Sequence, residues 1–222
     1  MNIREVNIET EIRFYYSENS KDKIINYFKT FKELKYKGRF HEITDQYNHP
    51  MKEYDFYSKN IDGRFRVRKT TGDNVSKCMI TWKRRLKDNV NELIHKEEEI
   101  EVSINIEEYD NLCLLLESVL HLELVESYER YRSVFYNDDV EIVVDEYPFG
   151  ICIEIENKSD TKNAEDVLKE WINKLKFDIN EAYRLSWDDK YSELCKEQNK
   201  KVSSIVRFNE DMPKVLNEFE EK

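Results

Sequence analysis

Glu9-Thr10-Glu11-Ile12-Arg13 and Glu154-Ile155-Glu156 set acidic and basic side chains at alternate positions. Successive side chains of a β-strand point to opposite faces, so Glu9, Glu11 and Arg13 share one face of one strand, and Glu154 and Glu156 one face of another. The pattern recurs along the chain. Arg64, Arg66 and Arg68 alternate with Phe65 and Val67, and Thr81, Lys83 and Arg85 share a face. Glu97, Glu99 and Glu101 lie opposite Ile100 and Val102; Arg130 and Arg132 follow, then Asp145. One strand of this kind is an ordinary solvated face. Six in series predict a closed sheet with a charged interior, its apolar side packed outward against helices. Isolated buried charges are costly, so such a lumen must be wet, internally paired, or filled by ligand and metal. Guanidinium forks match phosphate oxygens bidentately. Carboxylates two residues apart on facing strands supply the oxygen ligands that Mg²⁺ or Mn²⁺ prefers. A triphosphate carries about four negative charges, which several basic residues around a metal neutralise, so hydrolysis or intramolecular phosphoryl transfer is the chemistry expected.

The elements that would position these groups are short. Residues 7–16 alternate as a strand, and 19–34 place Ile24, Ile25, Phe28 and Phe31 at helical spacing. Strands are predicted at 39–46, 52–58, 64–71, 77–87 and 93–103, with turns at Asp62-Gly63 and Gly72-Asp73-Asn74. Residues 106–120 carry Leu112, Leu115, Leu116 and Val119 as an amphipathic helix. Strands resume at 126–136, 139–146 and 151–157, and helices at 161–176, 186–197 and 209–220. Eight or nine mostly antiparallel strands with helices outside them define an α+β class, and a barrel or tunnel removes exposed edges.

Composition narrows the function classes. A formal charge of −11 argues against nucleic acid as a partner, while 37% charged and 13% aromatic residues indicate a folded chain. Cys78, Cys113, Cys152 and Cys195 show no CxxC spacing and read as reduced thiols. No apolar run reaches the roughly 18 residues of a membrane span, and no secretory signal is visible. A cytoplasmic protein without a membrane partner is expected.

The charged segments resemble, in order, those of the CYTH or triphosphate tunnel metalloenzyme superfamily. Glu9-Thr10-Glu11-Ile12-Arg13 is similar to the family's ExExK strand, with Arg in place of Lys. Tyr54-Asp55-Phe56-Tyr57 resembles its D-x-Y strand, Phe65-Arg66-Val67-Arg68 its LRxR strand and Ile80-Thr81-Trp82-Lys83 its LTxK strand. Glu98-Glu99-Ile100-Glu101 and Tyr128-Glu129-Arg130-Tyr131-Arg132 resemble the acidic and KxR strands. Val144-Asp145-Glu146 with Phe149 through Glu156 resembles the terminal EIE element, and Trp187 through Leu194 the C-terminal SYxxLL helix.

The resemblance implies an eight-stranded antiparallel tunnel over residues 1–200, with 201–222 a helical extension of the same domain. It implies Mg²⁺ or Mn²⁺ held by Glu9, Glu11, Glu154 and Glu156 with help from Asp145. It implies a small-molecule triphosphate gripped by Arg13, Arg66, Arg68, Lys83, Arg130 and Arg132, with Arg85 and Glu99 as lesser candidates. Glu9, Glu11, Arg13 and Glu156 would carry catalysis, and a homodimer is compatible with the family. Arginine keeps its proton at any usable pH, so Arg13 cannot act as a general base where the family's lysine is placed near water. Three readings follow: a metal-dependent triphosphatase, a class IV-like adenylyl cyclase, and a non-catalytic polyphosphate or nucleotide sensor. Residues 160–222 could form a plug or a partner surface. A cyclase would need a base pocket at one mouth, for which His41, His49 and the tyrosines of 47–57 are candidates beside a plain packing role. Tyr15, Tyr16, Trp82, Trp171 and Trp187 read as packing residues.

Overall fold

A computed structural model describes residues 7–86 and 94–220. Eight strands form the barrel: β1 (Asn7–Tyr16), β2 (Lys35–Asn48), β3 (Gly63–Gly72), β4 (Val75–Arg85), β5 (His95–Ile104), β6 (Glu123–Tyr136), β7 (Val140–Tyr147) and β8 (Gly150–Asn157). They run in the order β2-β3-β4-β5-β1-β8-β7-β6, every neighbour antiparallel, and the long β2–β6 pairing closes the ring. Closure leaves no free edge along the barrel wall.

Alternation along β1 decides which side faces where. Ile12, Phe14 and Tyr16 point outward, where they join Ile142, Val144, Ile151, Ile153 and Ile155 of β7 and β8. Two helices cover this wall. α1 (Lys21–Lys29) brings Ile24 and Phe28, and α3 (Ala164–Lys174) brings Val167, Leu168, Trp171 and Ile172. The Asn163 side chain caps α3 by accepting from the Glu165 and Asp166 amides. A second outer wall, on β2, β3 and β4, packs Tyr47, Val67 and Cys78 against Leu116. Leu116 lies on a helical segment that runs from α2 (Tyr109–Leu114) into a π turn at Leu115–Val119. The apolar core of this protein therefore lies outside its barrel, as the alternation predicts.

The chain then turns to one end of the barrel. α4 (Trp187–Glu197) is fixed by a Ser186/Asp189 capping box, and its Trp187, Tyr191, Leu194 and Cys195 pack on Tyr15, Tyr128, Tyr147, Phe149 and Cys152. A two-residue strand, β9 (Ile205–Val206), pairs parallel with Ser127 and Tyr128 of β6.

Two expectations fail. Residues 52–58 are not a strand but a 3₁₀ turn (Lys52–Tyr54) and a loop. Asn48 Oδ1 accepts from the His49 and Phe56 amides, and Asp55 Oδ1 from Asn48 Nδ2 and the Tyr57 amide. Local side-chain acceptors thus take the place of a ladder partner. Residues 209–220 are extended rather than helical, and 201–220 contain no helix. Pro213 disfavours helix at the preceding residue, and the backbone finds partners elsewhere: Val215 N–H donates to the Phe149 carbonyl at 2.8 Å, and Ser17 N–H to the Asn217 carbonyl at 2.6 Å. The segment straps the barrel through buried Met212, Val215 and Phe219. Residues 87 and 93, at the ends of two predicted strands, lie outside the described residues. Cys78, Cys113, Cys152 and Cys195 are free thiols, and no helix among the described residues is long and apolar enough to cross a membrane.

If the outer wall carries the stability, Trp171→Ala, at a position only 2% exposed, should cost about 3–5 kcal/mol in urea unfolding with an unchanged denaturant slope. A loss below about 1 kcal/mol would contradict that placement.

Candidate functional site

The inward faces of the strands enclose a cavity of about 450 Å³. Of the residues singled out in the sequence, Glu9, Glu11, Arg13, Arg66, Arg68, Lys83, Arg130, Arg132, Glu154 and Glu156 all border it. Register explains the convergence. β1 sets Glu11 opposite Glu156 and Arg13 opposite Glu154 on β8, and Glu9 opposite Glu97 on β5. β5 sets Glu99 opposite Lys83, and β2 sets Glu42 opposite Arg130.

One wall is acidic. Glu11 and Glu156 face each other across adjacent strands, where like charges repel. Burial raises the Glu9 carboxyl above its ordinary range despite its ion pair with Lys83, and raises that of Glu11 despite its pair with Arg13. Burial, and then the neighbouring Glu9, push Glu156 up to about 8, although Lys158 Nζ lies 2.5 Å from Glu156 Oε1. All three shifts run upward, the electrostatic signature of a wall short of positive charge. An oxygen-only donor set of this kind fits Mg²⁺ or Mn²⁺. As the side chains stand, no three acid, histidine or cysteine groups among the described residues are gathered tightly enough to chelate an ion. The carboxylates are instead engaged by basic partners.

The opposite wall is basic. Among the described residues Arg66 reaches only Glu99, at 4.0 Å, while Arg68 bonds Thr44 Oγ1 at 3.0 Å and Tyr128 Oη at 3.4 Å. Arg130 donates to Glu42 and Asp145 at 2.8 and 2.7 Å, and Arg132 to Asp145 and Glu154 at 2.7 and 2.9 Å. Burial would raise the Tyr128 phenol, but Arg68, Arg66 and Arg130 more than offset it and bring it down to about 8. A fully enclosed tyrosine acidified in this way reports positive potential not balanced by the carboxylates present. Burial also raises Glu42, yet Arg68, Arg130 and Arg132 hold it far below its ordinary value.

α4 closes one end. The Trp187 ring lies 4.2 Å from Tyr128 and stacks on Tyr147 at 5.7 Å. The plug is tied to the acidic wall by Arg13, whose Nη1 donates to the Leu185 carbonyl at 3.0 Å and whose backbone carbonyl accepts from Tyr183 N–H at 2.8 Å. Of residues 160–222, Ser186 and Trp187 border the cavity, and Trp187 is a wall of it as well as a packing residue.

Some assignments change. Asp145 is fully buried behind Arg130 and Arg132, does not border the cavity, and orients those two arginines rather than facing the acidic wall. Arg13 spends its guanidinium on Glu11, Glu154 and Leu185, so it is committed before any ligand arrives. Glu99 borders the cavity and Arg85 does not. Of the residues suggested for a base pocket, His41 pairs outside the barrel with Glu129 and stacks near Tyr131, Tyr47 packs against Leu116, His49 contacts Tyr54, and Tyr57 Oη lies 3.5 Å from Gln46 Oε1. Glu42, Tyr128 and Tyr147 went unmarked in the sequence. Glu42 is the one carboxylate of β2 that borders the cavity among the described residues, and the tyrosines look like core aromatics.

Neither protein-family models nor curated proteins match the chain. Solved structures do. A candidate adenylate cyclase of Vibrio parahaemolyticus superposes with a TM-score of 0.62 at 16% identity, covering 85% of this chain and 99% of that one. A candidate adenylyl cyclase of Hippeastrum, whose dominant activity is that of a triphosphatase, gives 0.57 at 17% identity over 88% and 98%. The PH1819 protein of Pyrococcus horikoshii OT3 gives 0.57 at 23% identity over 86% and 99%. Likeness at these identities establishes the fold alone, a closed eight-stranded antiparallel barrel with helices outside it.

Glu156 keeps its proton to about pH 8 in the folded state against an ordinary 4.5. Between those values the folded chain binds more protons than the unfolded one, so metal-free stability falls as pH rises. Glu156→Gln should flatten the fall between pH 5 and 8.5 by on the order of 2–4 kcal/mol, read by urea unfolding in EDTA. Parallel profiles for the two proteins would refute the electrostatic description of this wall.

Proposed function

We propose that the protein is a divalent-metal-dependent triphosphatase that holds its substrate inside the tunnel. The observation that carries this reading is the double incompleteness of the lumen. On one wall burial keeps Glu156 protonated to about pH 8, and on the other three arginines acidify Tyr128 to about 8. A polyphosphate anion completes the basic wall, and a divalent cation completes the acidic one. The pair enters as one electrically balanced ligand.

Glu9, Glu11, Glu154 and Glu156 would hold Mg²⁺ or Mn²⁺. The metal supplies charge neutralisation and polarisation of the phosphoryl group. The chain's own residues supply position. Arg66, Arg68, Lys83, Arg130 and Arg132 grip phosphate oxygens, and Asp145 and Glu42 fix the planes of Arg130 and Arg132 beforehand. Preset forks cost less to order when substrate binds. Arg66 is the least committed of the group, so it is the one most available to the anion. Arg13 holds Glu11 and Glu154 apart and steadies the plug; its permanent charge keeps it from taking a proton off water. Trp187, Tyr128 and Tyr147 exclude water from the closed end.

Incubation with Mg²⁺ or Mn²⁺ and tripolyphosphate, thiamine triphosphate or ATP tests the reading through its products. Orthophosphate is the expected product. Pyrophosphate with cyclic AMP would make the protein a cyclase, and tight binding without turnover would make it a sensor. Glu9→Ala and Glu156→Ala should each lower kcat/KM by about a hundredfold or more while the protein still melts cooperatively. Arg66→Ala should raise KM about tenfold with little change in kcat. Turnover that survives both glutamate changes would remove the metal assignment, and an unchanged KM would remove Arg66 from the phosphate grip.

A further inference from the structure

A second cavity, of about 230 Å³, lies outside the barrel, where the end of β1, α1, the turn after α3 and the strap meet. Tyr16, Tyr27, Phe177 and Phe219 wall it, and all four are buried. The rings meet at steep angles: Tyr16 and Phe219 edge to face at 5.4 Å, and Phe177 and Phe219 likewise at 6.0 Å. Carboxylates crowd the rim. Asp178, Glu181, Glu218 and Glu220 are exposed there, against one basic residue, Lys176. The cavity shares no lining residue with the tunnel.

Its walls are held in place. Lys176 has φ +54°, and Phe177 N–H donates to the Ile172 carbonyl at 3.0 Å, a left-handed close to α3 that turns the Phe177 ring onto Phe14 and Tyr16 of β1. Ser20 Oγ accepts from Phe219 N–H at 2.8 Å and donates to Glu218 Oε2 at 3.0 Å. Tyr27 Oη donates to the Leu175 carbonyl at 3.1 Å. The Tyr16 hydroxyl has no such anchor. Tyr16 is 4% exposed and borders the cavity, yet its hydroxyl makes no hydrogen bond among the described residues. Burial, and then Glu181, raise its phenol, so it is a neutral hydroxyl. A buried polar group left without a partner is costly and calls for an explanation.

We propose that this cavity binds a small organic ammonium ion, a protonated amine borne on an apolar body, whose N–H groups bond the Tyr16 hydroxyl and the rim carboxylates. Aromatic rings attract cations, and hydrocarbon attached to the nitrogen is buried against Phe177 and Phe219. Four carboxylates against one lysine make the rim negative. Leu175 and Lys176 place the C-terminal end of α3 beside the cavity, and that end of a helix carries partial negative charge. Each of these features disfavours an anion. A bare metal ion gains little from aromatic walls, and no three acid groups among the described residues are gathered tightly enough to chelate one. The site stands apart from the tunnel and does not depend on the triphosphatase reading.

Amide-resolved NMR titration of the full chain with butylammonium chloride tests the proposal, with 1-butanol as the uncharged counterpart and sodium chloride as the ionic-strength control. Saturable shifts are expected at residues 175–181 and 217–220, with butanol binding about tenfold weaker or less. Tyr16→Phe removes only a hydroxyl without a partner, so the variant stays folded, and it should weaken butylammonium roughly threefold or more. Glu181→Gln should weaken it about twofold or more. Absence of saturable shifts, equal binding of butanol, shifts confined to the tunnel residues, or an affinity that either substitution leaves unchanged would overturn the proposal.

Discussion

Charge burial is the constraint on which this molecule is built. Nineteen acidic and basic side chains among the described residues border one enclosed space, and a buried charge would be costly alone. The barrel resolves most of that cost by pairing: Glu42 with Arg130, Arg132 with Asp145 and Glu154, Arg64 with Glu97, Lys83 with Glu99. It does not resolve all of it. What remains is separated in space, surplus acid on β1 and β8 and surplus base on β3 and β6. A protein selected only for stability would replace such pairs with apolar residues. Retention of the imbalance is what ties the structure to a ligand of mixed sign.

The rest of the architecture follows from keeping those groups apart from the core. Because the strand interiors are charged, apolar burial moves outside, onto α1, α3 and the segment beginning at α2. Because a tunnel open at both ends would let water screen every charge, one end is closed by aromatic stacking around Trp187. Arg13 joins the two systems, with its side chain between two glutamates and its backbone and Nη1 on the segment leading into α4. A lysine at this position would be a point charge with rotatable donors. The planar fork of arginine bonds Glu11 and the Leu185 carbonyl at once and lies 3.4 Å from Glu154, which suits a brace.

Much of this was legible because a β-strand has a period of two. Glu9, Glu11 and Arg13, or Arg64, Arg66 and Arg68, declare their common face without any structure. Glu42 does not, since its neighbours on that face are Phe40, Thr44 and Gln46. Tyr128 and Tyr147 were illegible for the same reason: nothing local separates a tyrosine lining a charged cavity from one in a core. Asp145 is read as a metal-side carboxylate by position in a motif, and only the structure shows that it accepts from Arg130 and Arg132. The segments 52–58 and 209–220 were misread because their fates are set by Asn48 and Asp55 acting as backbone acceptors and by long-range partners of the strap, which no periodicity encodes.

The central claim is that one cavity needs an anion and a divalent cation together. The direct measurement is the affinity of tripolyphosphate with and without Mg²⁺, paired with the affinity of Mg²⁺ with and without tripolyphosphate, each corrected for formation of the complex in free solution. Coupling of this kind is reciprocal. The account predicts that each ligand strengthens the other on the protein by the same factor, of about tenfold or more, and that Glu156→Gln diminishes the factor. Independent binding of the two, or coupling untouched by that substitution, would contradict it.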